Sequence, residues 1–208
     1  MLERLTQKYP DLASCLPDIQ RAFDLLATCY RQGGKVLICG NGGSASDSEH
    51  LVGELMKGYL QPRPVPSSLR ADLAAHFPAE GEYLADHLQG ALPTISLVSQ
   101  MALITAYAND VAADMIFAQQ VYGYGKPGDV LLGISTSGRS VNVLHALRVA
   151  RVRGLGTLGI TGGSGGEMPD LCDVAIRVPQ AHTAEIQERH LAIYHALCGM
   201  LEAEFFAG

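Results

Sequence analysis

A chain of 208 residues that is 48% hydrophobic and 17% charged can bury one sizeable core and is too apolar to be disordered. Its net charge is −6 and no run of Lys or Arg stands out, which argues against nucleic acid binding through a broad basic surface. A phosphorylated small molecule stays possible, because a local cradle is enough to hold one. The opening M-L-E-R-L-T-Q-K-Y-P is charged and amphipathic and lacks the apolar centre of a signal peptide. No apolar run is long enough to span a bilayer. Cys15, Cys29, Cys39, Cys172 and Cys198 are scattered through apolar patterns, with no C-x-x-C pair. They read as buried, reduced thiols. The expectation is a soluble cytoplasmic protein with no membrane partner.

Residues 2–31 are predicted helical. Pro17 and Asp18 open a segment in which Ile19, Phe23, Leu26 and Tyr30 recur at helical spacing, and Gly33 and Gly34 end it. Such an arm, lying outside an α/β core, is expected to bury its stripe partly on a partner subunit. Val36–Cys39 is a short apolar run with two β-branched residues, the pattern of a buried parallel strand. Gly40, Asn41, Gly42, Gly43 and Ser44 follow at once, and then a helix that carries His50 and Glu54. Strand, glycine turn and helix together aim backbone N–H groups at an anion. The turn matches neither the dinucleotide fingerprint nor a P-loop. Residues 60–93 are the least regular part, with helical pieces expected near 69–76 and 79–89; His76 and His87 lie there and read as solvated. Four more apolar runs follow, Thr94–Val98, Asp129–Ser135, Gly156–Thr161 and Val174–Pro179. Helical stretches at 99–108, 113–123, 140–153 and 166–171 separate them, and a last helix covers 184–206. Five strands alternating with helices predict a single α/β domain over 1–208, a three-layer sandwich around a five-stranded parallel sheet of the flavodoxin or Rossmann type. Residues 1–31 form its helical arm and 60–93 an insertion.

Ligands of such sheets bind beyond the C-terminal strand ends. Besides the first glycine turn, the strand end G-I-S-T-S-G-R-S places Ser135, Thr136, Ser137 and Ser140 around the start of a helix. Hydroxyls and free N–H groups at a helix start suit a phosphate monoester, although one or two would also suit an ordinary N-cap. The third such end, T-G-G-S-G-G at 161–166, reads as a plain connection. His50 and Glu54 are spaced to share a helix face.

The order G-N-G-G-S, H-L-V-G-E, A-N-D, G-D-V-L-L-G-I-S-T-S-G-R-S and I-Q-E-R-H-L-A-I-Y-H resembles the sugar isomerase (SIS) domain family, and within it the phosphoheptose isomerases. The resemblance covers nearly all of 17–206 except the 60–93 region, which is longer than in the lipopolysaccharide-pathway enzymes. It implies that Ser135, Thr136, Ser137 and Ser140 hold a sugar phosphate. Asn41, Gly42, Gly43 and Ser44 would line the sugar, with Asn109, Asp110 and Gln187. Glu54 and His195 would be the acid–base pair, and His50, Glu54, Gln187 and His195 the residues able to bind zinc. It also implies a homotetramer joined through its N-terminal helices. The implied reaction converts sedoheptulose 7-phosphate to D-glycero-D-manno-heptose 7-phosphate through an enediol. Gln187 and His195 lie about 12 Å apart along an ideal helix, so zinc is expected less firmly than acid–base chemistry. His190, on the same helix, is expected to point elsewhere. Two alternatives stay open at this level. One is a non-catalytic SIS protein that binds a phosphosugar or a replication initiator; such a relative lacks the Glu and final His that this chain has. The other is an isomerase for a different phosphosugar.

Overall fold

The side chains of Val36, Leu37, Ile38 and Cys39 are all buried, and they divide between two separate cores. Val36 and Ile38 enter one apolar cluster; Leu37 and Cys39 enter the other. A strand divides its residues this way when both faces of its sheet are covered. The computed structural model describes residues 1–207.

The chain begins with α1 (Leu2–Lys8), a short 3-10 turn at Pro10–Cys15 and α2 (Leu16–Arg31). Next come β1 (Val36–Gly40), α3 (Gly43–Met56), α4 (Ser67–His76), α5 (Gly81–His87) and β2 (Thr94–Ser96). α6 (Met101–Asp110), α7 (Ile116–Tyr124), β3 (Val130–Ser135) and α8 (Val141–Val152) follow. β4 (Gly156–Thr161), α9 (Met168–Leu171), β5 (Val174–Arg177) and α10 (Thr183–Phe206) complete it. The five strands pair in parallel, in the order β2-β1-β3-β4-β5. One face carries α1, α2, α3 and α10, and the other α7, α8 and α9. The expected three-layer sandwich is therefore present. Among the described residues, no helix is long and apolar enough to cross a membrane.

One local expectation changes, and two others gain detail. The predicted helix over 2–31 is broken at Tyr9 and Pro10, where a proline cannot continue α1 and instead opens the 3-10 turn. The stripe of α2 is satisfied within its own chain. Ile19, Ala22 and Leu26 are buried against α10 and β5, and Phe23 packs on the same cluster. Within one chain that stripe is already largely covered. The 60–93 insertion is a helical hairpin. α4 and α5 pack on each other, and α4 buries none of its residues. His76 and His87 are exposed there, as expected.

Candidate active site

β1 sits between β2 and β3, so the connections from the ends of β1 and β3 diverge and leave a crevice there. The two polar turns read from the sequence meet at this crevice. Asn41 and Asn142 join them by a reciprocal amide pair, with Nδ2 to Oδ1 distances of 2.8 and 2.9 Å in the two directions. Gly42 holds a φ of +56°, which lets the turn fold into α3. A side chain at Gly43 would have to displace the Gln187 amide, which lies against its α-carbon. In the second turn the Ser135 and Ser140 hydroxyls pair at 2.9 Å, and the Arg139 N–H donates to Ser137 Oγ at 3.2 Å. The Ser140 hydroxyl makes no capping hydrogen bond to α8, so an ordinary N-cap does not account for it.

The third turn is more than a connection. Gly162 and Gly163 line a cavity of about 400 Å³ together with Thr136, Ser137, Gln180 and Thr183. The Gly162 N–H donates to the Thr136 carbonyl at 3.1 Å, and the Glu167 N–H to the Gly138 carbonyl at 3.0 Å. Gly138 takes a φ of +63° and faces the Gly165 backbone so closely that no side chain fits. Run lengths in the sequence do not show this meeting, because it depends on β3 and β4 being neighbours.

α10 passes Gly43 with Gln187 and reaches His50 with Tyr194 and His195, so α3 and α10 run side by side in the same sense. There, one nitrogen each of His50 and His195 and a Glu54 oxygen lie within 4.8 Å of one another. All three residues belong to one chain, so the acid–base pair does not need a second subunit to bring it together. His50 Nε2 is 3.1 Å from Glu54 Oε1 and 3.5 Å from His195 Nε2. Lys57 Nζ stands 3.6 Å from Glu54 Oε2. Burial holds the His195 pKa below the usual histidine range, aided by nearby His50 and opposed by Glu54. Its ring is therefore neutral at pH 7 and can give or take one proton.

Three neighbours of this cluster have no role assigned from the sequence. The Tyr59 ring stacks on His195, with centroids 5.7 Å apart and planes at 24°. The Tyr194 hydroxyl donates to Asp47 Oδ1 at 3.2 Å and meets His50 Nδ1 at 3.0 Å. Asp47 is the one with a sequence signal, since it precedes His50 by three residues on the same helix face. Burial raises its pKa, and its second oxygen is buried without a partner. Asn109 and Asp110 lie elsewhere, at the exposed end of α6, where the Asn109 amide donates to Asp110 Oδ1 at 2.8 Å. His190 does point away: it is fully buried, and burial pushes its pKa down to about 4.

The cluster suits a divalent metal. Zinc bonds of 2.0–2.2 Å in a tetrahedron place ligand atoms about 3.3 Å apart. The 3.1 and 3.5 Å separations match that spacing, and two imidazoles with a carboxylate are a usual catalytic donor set.

A family model described as the SIS domain matches residues 12–72 and 73–162. A phosphoheptose isomerase from Rhodospirillum rubrum is 41% identical over 191 residues, which is 92% of this chain and 88% of that protein. One from Synechocystis is 36% identical and covers 100% of this chain and 96% of its own length. The solved phosphoheptose isomerase from Francisella tularensis superposes with a TM-score of 0.77 at 32% identity, over 96% of this chain and 93% of that one. The one from Neisseria gonorrhoeae gives 0.74 at 31%, over 96% and 92%. The chain belongs to the SIS domain family and, within it, to the phosphoheptose isomerases.

Proposed function

We propose that the protein interconverts sedoheptulose 7-phosphate and D-glycero-D-manno-heptose 7-phosphate. The observation that supports this most is the meeting of Glu54 and His195 within one cluster, beside the wall that leads to the polar turns. Ser135, Thr136, Ser137 and Ser140 hold the phosphate, while Asn41, Gly42, Gly43, Ser44 and Gln187 face the sugar. Glu54 removes a proton from C1 of the open ketose as His195 delivers one to the C2 oxygen, giving a cis-enediol. Glu54 then returns its proton to C2, and His195 takes the hydroxyl proton at C1, which leaves the aldehyde. His50, Glu54 and His195 would hold zinc, with Gln187 as the further ligand of the family. When bound, the ion would polarise the carbonyl oxygen.

We also propose a cytoplasmic homotetramer. α6 supports this, because it buries none of its residues and leaves Met101 68% exposed. Covering that helix with a second copy would also carry Asn109 and Asp110 toward a neighbouring site. The test of the activity is an NMR assay of the purified protein with several ketose phosphates, run on wild type and Glu54→Gln. The wild type turns over the heptulose phosphate, and the variant loses about 10²–10⁴-fold in rate. A Gln variant with wild-type turnover would show that Glu54 is not the base.

A further inference from the structure

Arg63 has 0% of its side chain exposed, and its partner Glu202 has 2%. Removing two charges from water costs about as much as their attraction returns, so burial of the pair is weak evidence for stability. What the pair grips is more informative. Arg63 Nε donates to Glu202 Oε1 at 2.9 Å, Nη1 to the Leu55 carbonyl at 2.8 Å and Nη2 to the Glu54 carbonyl at 3.1 Å. The Glu202 carboxylate in turn accepts the backbone N–H groups of Tyr59 and Leu60, each at 2.7 Å. The guanidinium lies over the Phe206 ring, 4.6 Å from its centre.

α3 ends at Met56 with Lys57 extended, so the last carbonyls of the helix need outside donors; Arg63 reaches those of Glu54 and Leu55, and the Leu92 N–H also donates to Leu55. One of those carbonyls belongs to Glu54. One of the N–H groups held by Glu202 belongs to Tyr59, the residue stacked on His195. A single buried pair therefore fixes the backbone under the carboxylate and the ring over the imidazole. We propose that Arg63 and Glu202 are positioning residues for the isomerisation, acting on Glu54 through the end of α3 and on His195 through Tyr59. This rests on the roles given above to Glu54 and His195.

The test is steady-state kinetics with thermal unfolding on Arg63→Lys, on the volume-matched double variant Arg63→Met with Glu202→Leu, and on Tyr59→Ala and Tyr59→Phe. The double variant leaves no charge unpaired, which keeps its fold measurable. The expected result is a kcat lowered about 10- to 100-fold with KM within about threefold, since small misplacements of reacting groups cost rate and the phosphate turn shares none of these hydrogen bonds. Tyr59→Ala shows the same loss without disturbing the buried pair, and Tyr59→Phe keeps the ring and restores kcat. A folded double variant with wild-type kcat, or a Tyr59→Ala variant with wild-type kcat, overturns the proposal while Glu54→Gln is inactive. An active Glu54→Gln enzyme would instead overturn the base assignment on which it stands.

Discussion

The Tyr194 hydroxyl sets which nitrogen of His50 carries the proton. It lies 3.0 Å from His50 Nδ1 and donates its one hydrogen to Asp47 Oδ1. With Asp47 ionised, the hydroxyl can only accept from His50, so Nδ1 is protonated and Nε2 carries the lone pair. That lone pair faces Glu54 Oε1, which is also an acceptor, and lies 3.5 Å from His195 Nε2. Such a meeting calls for a cation, either a proton or a metal. Tyr194→Phe preserves the buried ring but releases His50. Zinc affinity is expected to fall about 10- to 100-fold, read by competition with a chromophoric chelator. Unchanged affinity would mean that Tyr194 does not orient the ligand.

The serine turn offers a second measurement. Ser137→Ala combined with Ser140→Ala should raise KM strongly and leave kcat little changed, because hydroxyl donors to a phosphate act alike in ground and transition states. Inorganic phosphate should compete with the substrate in the wild type and only weakly in the variant. An unaltered KM would take this turn out of the phosphate site.

The five strands and the polar turns were legible because glycine, serine and β-branched residues punctuate the chain at βα boundaries, whereas the strand order was not. The meeting of Glu54 with His195 was legible through their motifs. Tyr59, Tyr194 and Asn142 were not, since each acts through a neighbour that is distant in sequence. Arg63 looks like an ordinary charged residue in a proline-rich stretch, and only the fold shows that it is buried. The stripe of α2 shows a related limit. An amphipathic helix must cover its apolar face, but the pattern does not say with what, and here α10 and β5 cover it.

His190 makes stability depend on pH. Its pKa is near the ordinary histidine value in the unfolded chain and is pushed down to about 4 in the fold, with burial as the main cause. Between these values the unfolded state binds more protons, so stability rises with pH across that window and falls as pH drops from about 6.5 toward 4. The full effect is on the order of 3 kcal/mol. His190→Leu should flatten that part of the profile in denaturant titrations taken at several pH values. An identical slope in wild type and variant would assign the pH dependence to other groups.

Assembly is best tested on α6 and not on α2. Phe23 and Leu26 pack in the core of their own chain, so charging them would unfold it. Met101→Glu with Leu103→Glu changes exposed positions instead. The wild type should scatter light as a tetramer and the variant as a smaller species, with its circular dichroism preserved. A variant that stays tetrameric would place the interface elsewhere.

The α4–α5 hairpin is attached at a narrow base. Pro64 bridges Gln89, the Gly90 N–H donates to the Arg63 carbonyl at 2.7 Å, and the Gly58 N–H donates to Gln89 Oε1 at 2.7 Å. Beyond that base the two helices hold mainly each other, partly through Arg70 and its exposed partners Glu82 and Asp86. Such a unit can open by itself while the sheet stays closed, and its amides should exchange with solvent hydrogen well before those of β1 or β3. The hairpin is thus a place where the chain can lengthen, shorten or accept a foreign segment without repacking the core, provided the anchoring arginine at its root stays in place.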